Sequence, residues 1–286
     1  MKNLTVGDTT FEWGKQTYLM GIINVTPDSF SGDGVLDIDA AVAQGIQQEK
    51  DGADIIDVGG ESTRPGSTPL PLEEELVRIL PVIEKLAKEV NVPISIDTYK
   101  AEVAQRAIEA GASIINDVWG GRMEPEILIV AATARVPIIL MHNRSKPKHA
   151  KLQAALGGRY VGMEYKDLLG DIKKELQECV DAARAAGISH ERIIIDPGVG
   201  FGKTVEQNLE LLGRLSELRE LGFPILVGPS RKSFVGYTLE LPPEERLEGT
   251  AAAVALSIDR GADIVRVHDV KQMRRVATLT DAVTRR

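Results

Sequence analysis

The sequence predicts an α/β fold, a (β/α)₈ (TIM) barrel with a short N-terminal hairpin. Three observations predict it: eight short apolar runs recur along the chain, helix-like stretches separate them, and no linker interrupts the series. Near-continuous Ile, Val and Leu is typical of parallel strands that are covered on both faces. The alternative is an open doubly wound sheet, which less often needs eight such units.

The strand predictions rest on apolar runs of similar length. The segment LTVGDTTFEWG, which precedes the first run, predicts the hairpin, and we expect this hairpin to plug the bottom of the barrel. The eight runs are LMGIINV (19–25), DIIDVGG (54–60), PISIDT (93–98), SIINDV (113–118), PIILMH (137–142), RIIIDP (192–197), PILVGP (224–229) and DIVRVH (263–268).

Helices are predicted between these runs. Several of the stretches end in a glycine just before the next run, as in DGAD, AGAS, LGFP and RGAD, which is typical of a helix C-terminus. Because no linker is present, we predict one barrel domain over residues 1–286. The helical stretches are 39–51, 72–90, 100–110, 124–135, 165–186, 204–221, 244–260 and 270–283, and SRKSF predicts a further short helix.

Charge and composition exclude several classes of protein. The 286 residues include 42 acidic and 34 basic ones, and the net charge of −8 argues against bulk attraction to nucleic acid or anionic lipid. An anionic substrate would therefore need a local cationic pocket. The single cysteine, Cys179, cannot form an intrachain disulfide. The sequence shows neither a signal-peptide core nor an apolar run of membrane-spanning length, so we expect a cytoplasmic protein.

Polar residues stand where the predicted strands end. In a barrel these ends converge on one mouth, where barrel enzymes keep their chemistry. A lone strand-end aspartate is usually a helix cap or a loop anchor, but polar groups at so many strand ends favour a binding site. The strand-end residues are Asn24, Asp57, Asp97, Asn116, Asp117, His142, Asp196, Arg266 and His268, and Arg231 and Lys232 follow the seventh strand.

Four of these residues suit a flat heterocycle with donors on one edge and acceptors on the other. Carboxylates only accept hydrogen bonds, a side-chain amide both donates and accepts them, and a lysine ammonium only donates them. A 2-amino-4-oxo-pteridine matches this set, with its N–H groups toward the carboxylates and its 4-oxo group toward the lysine. The four residues are Asp97, Asn116, Asp196 and Lys232.

Three other strand-end residues suit a polyanion. Arg266, His268 and Asn24 could bind it, and the helix that begins after His268 would add an N-terminal dipole. The segment PGVGFGKT resembles a phosphate loop, but Pro197 stands where that motif needs glycine. With four histidines and no H-x-x-x-H spacing, a zinc site at His142 is disfavoured, whereas Mg²⁺ held by substrate phosphates and one protein oxygen is compatible with the sequence.

Taken in order, the motifs resemble those of the dihydropteroate synthases, and the resemblance spans nearly the whole chain. Such long segments are specific. They are GIINVTPDSFSGDG (21–34), IIDVGGESTRPGS (55–67), ISIDTYK (94–100), INDV (115–118), LMHNR (140–144), IIIDPGVGFGKTVEQNLELL (193–212), VGPSRKSFVG (227–236), ERLEGTAAAV (245–254) and VRVHDV (265–270).

The resemblance implies a transferase of folate biosynthesis that joins a pterin diphosphate to 4-aminobenzoate, with Mg²⁺ as cofactor. It assigns the pterin to Asp97, Asn116, Asp196 and Lys232, and the diphosphate to Asn24, Thr63, Arg266 and His268, with Asn24 also near the metal. It assigns 4-aminobenzoate to Phe201, Lys232 and Ser233, with Thr63, Arg64 and Pro65 closing over it. Asp97, Lys232, Arg266 and His268 are the implied catalytic residues.

The resemblance also implies mobile lids at 25–38 and 59–71, sulfonamide analogues as inhibitors, and a homodimer, for which Thr250–Ile258 is a candidate surface. Burial of that stretch against the barrel is as compatible with the sequence. Two alternative functions share the pterin pocket: a methyltetrahydrofolate-dependent methyltransferase, and a catalytically silent pterin-binding relative. A sugar-phosphate barrel would explain Arg266 and His268 but not the paired carboxylates.

Overall fold

The structure is a computed structural model that describes residues 1–26, 37–62, 69–146, 149–153, 156–161 and 163–285. Within these ranges it contains one eight-stranded parallel sheet and two small antiparallel pairs. The strands are β1 (Leu4–Val6), β2 (Thr9–Phe11), β3 (Tyr18–Asn24), β4 (Ile55–Gly59), β5 (Ile94–Asp97), β6 (Ile114–Asp117), β7 (Ile138–Met141), β8 (Ala150–Gln153), β9 (Gly157–Tyr160), β10 (Ile193–Asp196), β11 (Leu226–Val227) and β12 (Ile264–Val267).

The parallel sheet closes into the predicted barrel. Strands β3 to β7 are neighbours in chain order, β10 follows β7, and β12 and β11 lie on the other side of β3. The two end strands, β10 and β11, meet through a single bridge between Ile195 and Ile225. The Ile195 amide donates to the carbonyl of Pro224 at 3.0 Å. This closure confirms the barrel over the open sheet. Seven of the eight predicted apolar runs contain one of its strands, and the run 19–25 overlaps β3, which begins one residue earlier at Tyr18.

The N-terminal hairpin of β1 and β2 covers the bottom of the barrel, as predicted. Phe11 is fully buried, stacks on Trp13 and meets Tyr18 edge-on. Together with Leu4 and Val6 it packs against the layer of apolar side chains at the bottom of the barrel interior. The hairpin therefore closes one end of the barrel and leaves chemistry to the other. The interior residues it covers are Met20, Ile55, Ile114, Ile139, Ile194, Leu226 and Ile264.

An outer layer of helices covers the sheet, and its apolar side chains form one continuous core with the outward faces of the strands. The helices follow the predicted stretches, and the SRKSF helix is present. They are α1 (Ile38–Lys50), α2 (Leu72–Glu89), α3 (Ala101–Glu109), α4 (Glu126–Ala134), α5 (Leu168–Ala185), α6 (Val205–Gly213), α7 (Ser233–Leu239), α8 (Leu247–Asp259) and α9 (Val270–Thr284).

One predicted helix is wrong in extent. The stretch 204–221 was expected to be continuous, but α6 ends at Gly213 and a 3₁₀ helix covers Leu215–Leu221. A glycine at this point weakens the helix. The Arg214 side chain donates hydrogen bonds to Glu210 before the break and to Glu217 after it, so it links the two helices. Among the described residues, no helix has the length and apolarity to cross a membrane.

Candidate active site

The mouth of the barrel brings together side chains from four strands. Arg266 on β12 lies between two carboxylates: its Nε donates to Asp57 Oδ2 on β4 and its Nη2 to Asp97 Oδ2 on β5, both at 2.6 Å. Asn116 on β6 donates to the same oxygen of Asp57 at 3.1 Å. Residues up to 209 positions apart in the chain thus form one hydrogen-bonded group. Asp57, which the resemblance left unassigned, is a member of it.

Two oxygens of this group have no hydrogen-bond donor among the described residues: Asp57 Oδ1 and Asp97 Oδ1, both buried. Burial raises the pKa of Asp97 to about 7, against the opposing charge of Arg266. A buried acceptor without a donor costs roughly 1–3 kcal/mol. These two oxygens can therefore accept hydrogen bonds from N–H donors of a ligand.

A second group forms at the same mouth, around Lys232 and close to Arg266. Lys232, at the N-terminus of α7, donates to the carbonyl of Val199, and its ammonium lies 4.4 Å from the centre of the Phe201 ring. Burial lowers the pKa of Lys232 to about 8, although the charge of Asp196 opposes this shift. Asp196, at the end of β10, is buried and accepts from the Gly198 amide at 2.7 Å. A donor, Lys232, and an acceptor, Asp196, are thus present at this mouth and interact electrostatically.

The residues predicted to bind a polyanion stand at neighbouring strand ends. Asn24 ends β3, and His268 follows β12 just before α9 begins. The His268 ring Nδ1 lies 3.0 Å from Ser230 Oγ, and the same hydroxyl accepts from the His268 amide. Ser230 was missed by the sequence analysis, because serine in a loop carries no signal of its contacts. Ser233, predicted near 4-aminobenzoate, is the first residue of α7.

Three other residues at or after the strand ends contact other parts of the protein. Asp117 accepts from the amides of Trp119 and Gly121 at 2.8 and 2.5 Å, so it is a loop anchor. Arg231 pairs with Asp269 at the start of α9 through two hydrogen bonds. His142 is fully buried and contacts Lys203. A strand-end position therefore does not by itself identify a ligand-binding side chain.

Several predicted residues lie outside the described part of the chain. These are Thr63, Arg64 and Pro65, together with residues 27–36 and 63–68 of the two segments, 25–38 and 59–71, that were predicted to be lids. Within the described ranges, no three His, Cys, Asp or Glu side chains converge on a metal-binding point.

The family model described as "Pterin binding enzyme" matches residues 20–268. Two curated proteins named dihydropteroate synthase are similar over almost the whole chain. That of Clostridium beijerinckii is 49% identical over 285 residues, which cover 99% of this chain and 100% of that protein. That of a Synechocystis strain is 50% identical over 284 residues, with 99% and 95% covered.

Solved structures of dihydropteroate synthases are similar in fold. The Clostridium difficile enzyme, solved in the presence of pteroic acid, is 46% identical with a TM-score of 0.87, and 96% of this chain and 100% of that chain are covered. The Yersinia pestis enzyme in complex with a sulfonamide drug is 40% identical with a TM-score of 0.90, and 99% and 98% are covered. The Xanthomonas albilineans enzyme with 4-aminobenzoic acid is 41% identical with a TM-score of 0.85, and 98% and 97% are covered.

Proposed function

This chain belongs to the pterin-binding enzyme family and acts as a dihydropteroate synthase, and we propose that the residues at its barrel mouth carry out the reaction by dissociative substitution at the pterin CH₂ carbon. The substrates are 6-hydroxymethyl-7,8-dihydropterin diphosphate and 4-aminobenzoate. The products are 7,8-dihydropteroate and diphosphate. The observation that carries the proposal is the pair of buried carboxylate oxygens, of Asp57 and Asp97, that have no hydrogen-bond donor among the described residues and lie at the same mouth as the half-buried Lys232.

The pterin ring is proposed to lie between the two groups of the mouth. Its 2-amino and ring N–H groups would donate to the carboxylates, while Lys232 would donate to its oxo group and a ring nitrogen. The side-chain oxygen of Asn116 remains as a further acceptor, because the side-chain nitrogen of this residue already donates to Asp57. This pairing satisfies the buried oxygens of Asp57 and Asp97, which is a condition for tight binding of a polar ring.

The diphosphate is proposed to bind at the ends of β3 and β12, against Asn24, Arg266 and His268. Two nitrogens of Arg266 already hold Asp57 and Asp97, so the guanidinium can bridge the pterin pocket and the leaving group. Asn24 would hold Mg²⁺ through its side-chain oxygen, and the ion would supply positive charge to the departing phosphates. The N-terminus of α9 adds a favourable dipole for the same charge.

The 4-aminobenzoate is proposed to lie beside Phe201, Lys232 and Ser233. Two related enzymes were solved in the presence of pteroic acid and with 4-aminobenzoic acid, which supports binding of this ligand class by this chain. The Phe201 ring offers an apolar face to the benzene ring. Since a related enzyme was solved in complex with a sulfonamide drug, we propose that sulfonamides bind this chain and compete with 4-aminobenzoate.

In the proposed mechanism the C–O bond of the pterin CH₂ breaks first, and its electron pair leaves with the diphosphate. The positive charge left on the pterin is delocalised over the ring and stabilised by the carboxylates of Asp97 and Asp196. The amine nitrogen of 4-aminobenzoate then forms the C–N bond and loses a proton. Arg266 and His268 stabilise the leaving group, so the protein acts through electrostatics and placement and forms no covalent bond to either substrate.

Diphosphate release tests this function. We expect release when pterin diphosphate, 4-aminobenzoate and Mg²⁺ are all present, with one dihydropteroate formed for each diphosphate. A methyltransferase would release none and would demethylate methyltetrahydrofolate, whereas a silent relative would bind a pterin in calorimetry without turnover. Either of these two results would refute the proposed reaction.

We propose in addition that the chain forms a homodimer through the outer face of α8. Much of the candidate stretch Thr250–Ile258 is buried within the chain, including Val254, but Ala252 and Leu256 are exposed one turn apart on one face. We expect light scattering to give twice the chain mass of 31.0 kDa and Leu256→Glu to lower that value. A monomer at micromolar concentration would refute the proposal.

A further inference from the structure

The glycine-rich loop between β10 and α6, residues 198–202, determines where Lys232 lies. Its Val199 carbonyl accepts from the Lys232 ammonium, and its Phe201 ring packs beneath it. The fit is close, since a Cβ added to Gly200 would lie 2.6 Å from Cδ of Lys232. Any shift of this loop therefore moves the lysine and the aromatic ring together.

One buried side chain anchors this loop. The Nζ atom of Lys203 donates to the Gly198 carbonyl at 2.9 Å and to the Phe201 carbonyl at 3.1 Å, so it holds both ends of the turn that bears Val199. Lys203 is only 2% exposed. This is the lysine of the PGVGFGKT segment, and it points into the protein toward backbone carbonyls.

A buried histidine stands behind Lys203. The Nδ1 atom of His142 lies 3.0 Å from Nζ of Lys203, and burial lowers the pKa of this histidine to about 3, so its ring is neutral and can accept from the lysine. Its Nε2 atom lies 3.1 Å from Glu175 Oε2, close enough for attraction although not aligned as a hydrogen bond. Arg144 binds the same glutamate. Lys203 thus has a fixed third partner.

Other side chains complete the support of the loop. Asn208 Oδ1 accepts from the Gly200 amide at 2.6 Å, and the Tyr165 hydroxyl donates to the Gly202 carbonyl at 2.9 Å. These contacts come from α6 and from the segment before α5, so the loop is fixed from two directions. Among the described contacts, only Lys203 reaches both the residue before Val199 and Phe201 itself.

We propose that Lys203 is a positioning residue for the synthase reaction: through the carbonyls of Gly198 and Phe201 it sets the loop against which Lys232 binds the substrates, and His142 holds Lys203 in place. This inference rests on the proposed function, since it assumes that Lys232 and Phe201 bind the pterin and 4-aminobenzoate. Lys203 touches no substrate in this scheme. Its effect is transmitted through main-chain geometry.

The test is Lys203→Met, which keeps the length of the side chain and removes its donor. We expect KM for 4-aminobenzoate to rise by about tenfold to a hundredfold, as for a small misplacement of a binding group, with a smaller fall in kcat. The control is Arg274→Met at the opposite end of the barrel, where Arg274 holds the Gly52 carbonyl. It should lower stability and leave both KM values unchanged.

A double-mutant cycle separates positioning from general loss of stability. If Lys203 acts through the loop, the fold-loss of kcat/KM in the Lys203→Met, Phe201→Leu double variant should be smaller than the product of the two single-variant losses. The reason is that Lys203→Met already misplaces the Phe201 ring. In the control cycle, the fold-losses of kcat/KM caused by Arg274→Met and Phe201→Leu should multiply. Multiplicative effects in both cycles, or a folded Lys203→Met enzyme with unchanged KM, would overturn the inference.

Should Lys203→Met fail to fold, substitutions of His142 give the same answer. His142→Gln keeps an acceptor for Lys203 and should leave KM for 4-aminobenzoate within about threefold, while His142→Leu removes the acceptor and should raise KM like the lysine substitution. Equal KM values for the two variants would overturn the inference. If the unmodified enzyme released no diphosphate, the proposed function itself would fail, which is a different result.

Discussion

At the scale of single residues, Arg266 balances the negative charge of the proposed pterin pocket. Its guanidinium lies between the buried carboxylates of Asp57 and Asp97, and without it two negative charges would share a desolvated site. Even so, one oxygen of each carboxylate has no hydrogen-bond donor among the described residues. The pocket thus combines a fixed cation with unsatisfied acceptors, a state that favours a neutral ring with several N–H groups.

Removing the Lys232 amine should impair both substrates. We expect Lys232→Ala to lower kcat/KM by the equivalent of about 2–4 kcal/mol, because Asp196 and the bound pterin lose a buried charged partner. Steady-state kinetics with each substrate varied in turn measures this. Lys85→Ala is the control, since Lys85 is half-exposed and pairs with Asp39 on the outer helices. Near-normal kinetics for Lys232→Ala would refute the role assigned to it.

The pH profile of kcat/KM should be bell-shaped. Asp97 has a pKa of about 7 and must be ionised to accept from the pterin, so activity should fall below pH 7. Lys232 has a pKa of about 8 and must be protonated to donate, so activity should fall again above pH 8. Because Asp97 and Lys232 interact, the two limbs report apparent pKa values of the free enzyme that belong to both groups together.

Lys232→Arg is the check on the alkaline limb. Arginine stays protonated throughout the accessible range, so the residual activity of this variant should no longer fall above pH 8, while the acid limb should remain. An unchanged alkaline limb would show that another group titrates there.

The residue-scale predictions from sequence were right about position and incomplete about partners. Strand-end polarity placed Asp97, Asn116 and Asp196 at one mouth, because parallel strands end on the same side of a barrel. It could not tell that Asp117 anchors a loop, or that Lys203 binds His142. Those outcomes depend on contacts between distant segments, for which a single sequence holds no local signal.

At the scale of elements, the loop between β10 and α6 shows how glycine permits close packing. Gly200 has a φ of +82° and lies against the stem of Lys232, so a side chain there would meet both backbone strain and steric overlap. The capping box formed by Thr204 and Gln207 starts α6 directly after this loop. The loop is thus held between a strand end and a firmly capped helix.

We expect Gly200→Ala to raise KM for both substrates and to lower the free energy of unfolding by roughly 1–3 kcal/mol. Thermal denaturation and steady-state kinetics measure the two effects. Gly213→Ala is the matched control: an added Cβ there meets open space at the end of α6, and we expect stability to be equal or slightly higher. Comparable losses in both variants would contradict the close packing described for Gly200.

Element boundaries show where sequence patterns stop being informative. The apolar runs located all eight barrel strands, because burial on both faces demands continuous apolar residues. The run 224–229, however, yields only the two-residue strand Leu226–Val227. The break after Gly213 and the pairing of β8 with β9 depend on side-chain contacts and loop geometry, which periodicity does not record.

At the scale of the whole molecule, the two ends of the barrel have separate tasks. The hairpin residues fill the bottom layer with apolar and aromatic side chains, whereas charged and amide groups occupy the mouth. Stability and chemistry should therefore respond to different substitutions.

Phe11→Ala tests this separation. Phe11 is fully buried between Trp13, Tyr18 and the barrel interior, so its truncation should lower the free energy of unfolding by roughly 3–5 kcal/mol. At a temperature where the variant remains folded, its KM values should match those of the unmodified enzyme. Chemical denaturation and kinetics give both numbers, and a large change in KM would show that the ends are coupled.

The single bridge between Ile195 and Ile225 gives the barrel a seam. Every other neighbouring pair of strands shares at least two register positions, so amide protons along this seam should exchange with deuterated solvent faster than those between β3 and β4. Asp196 and Lys232 flank the seam on its two sides. Occasional separation of β10 and β11 would change the distance between these two side chains. A bound pterin that contacts both of them would hold the two strands together, so its binding should slow amide exchange along this seam more than elsewhere.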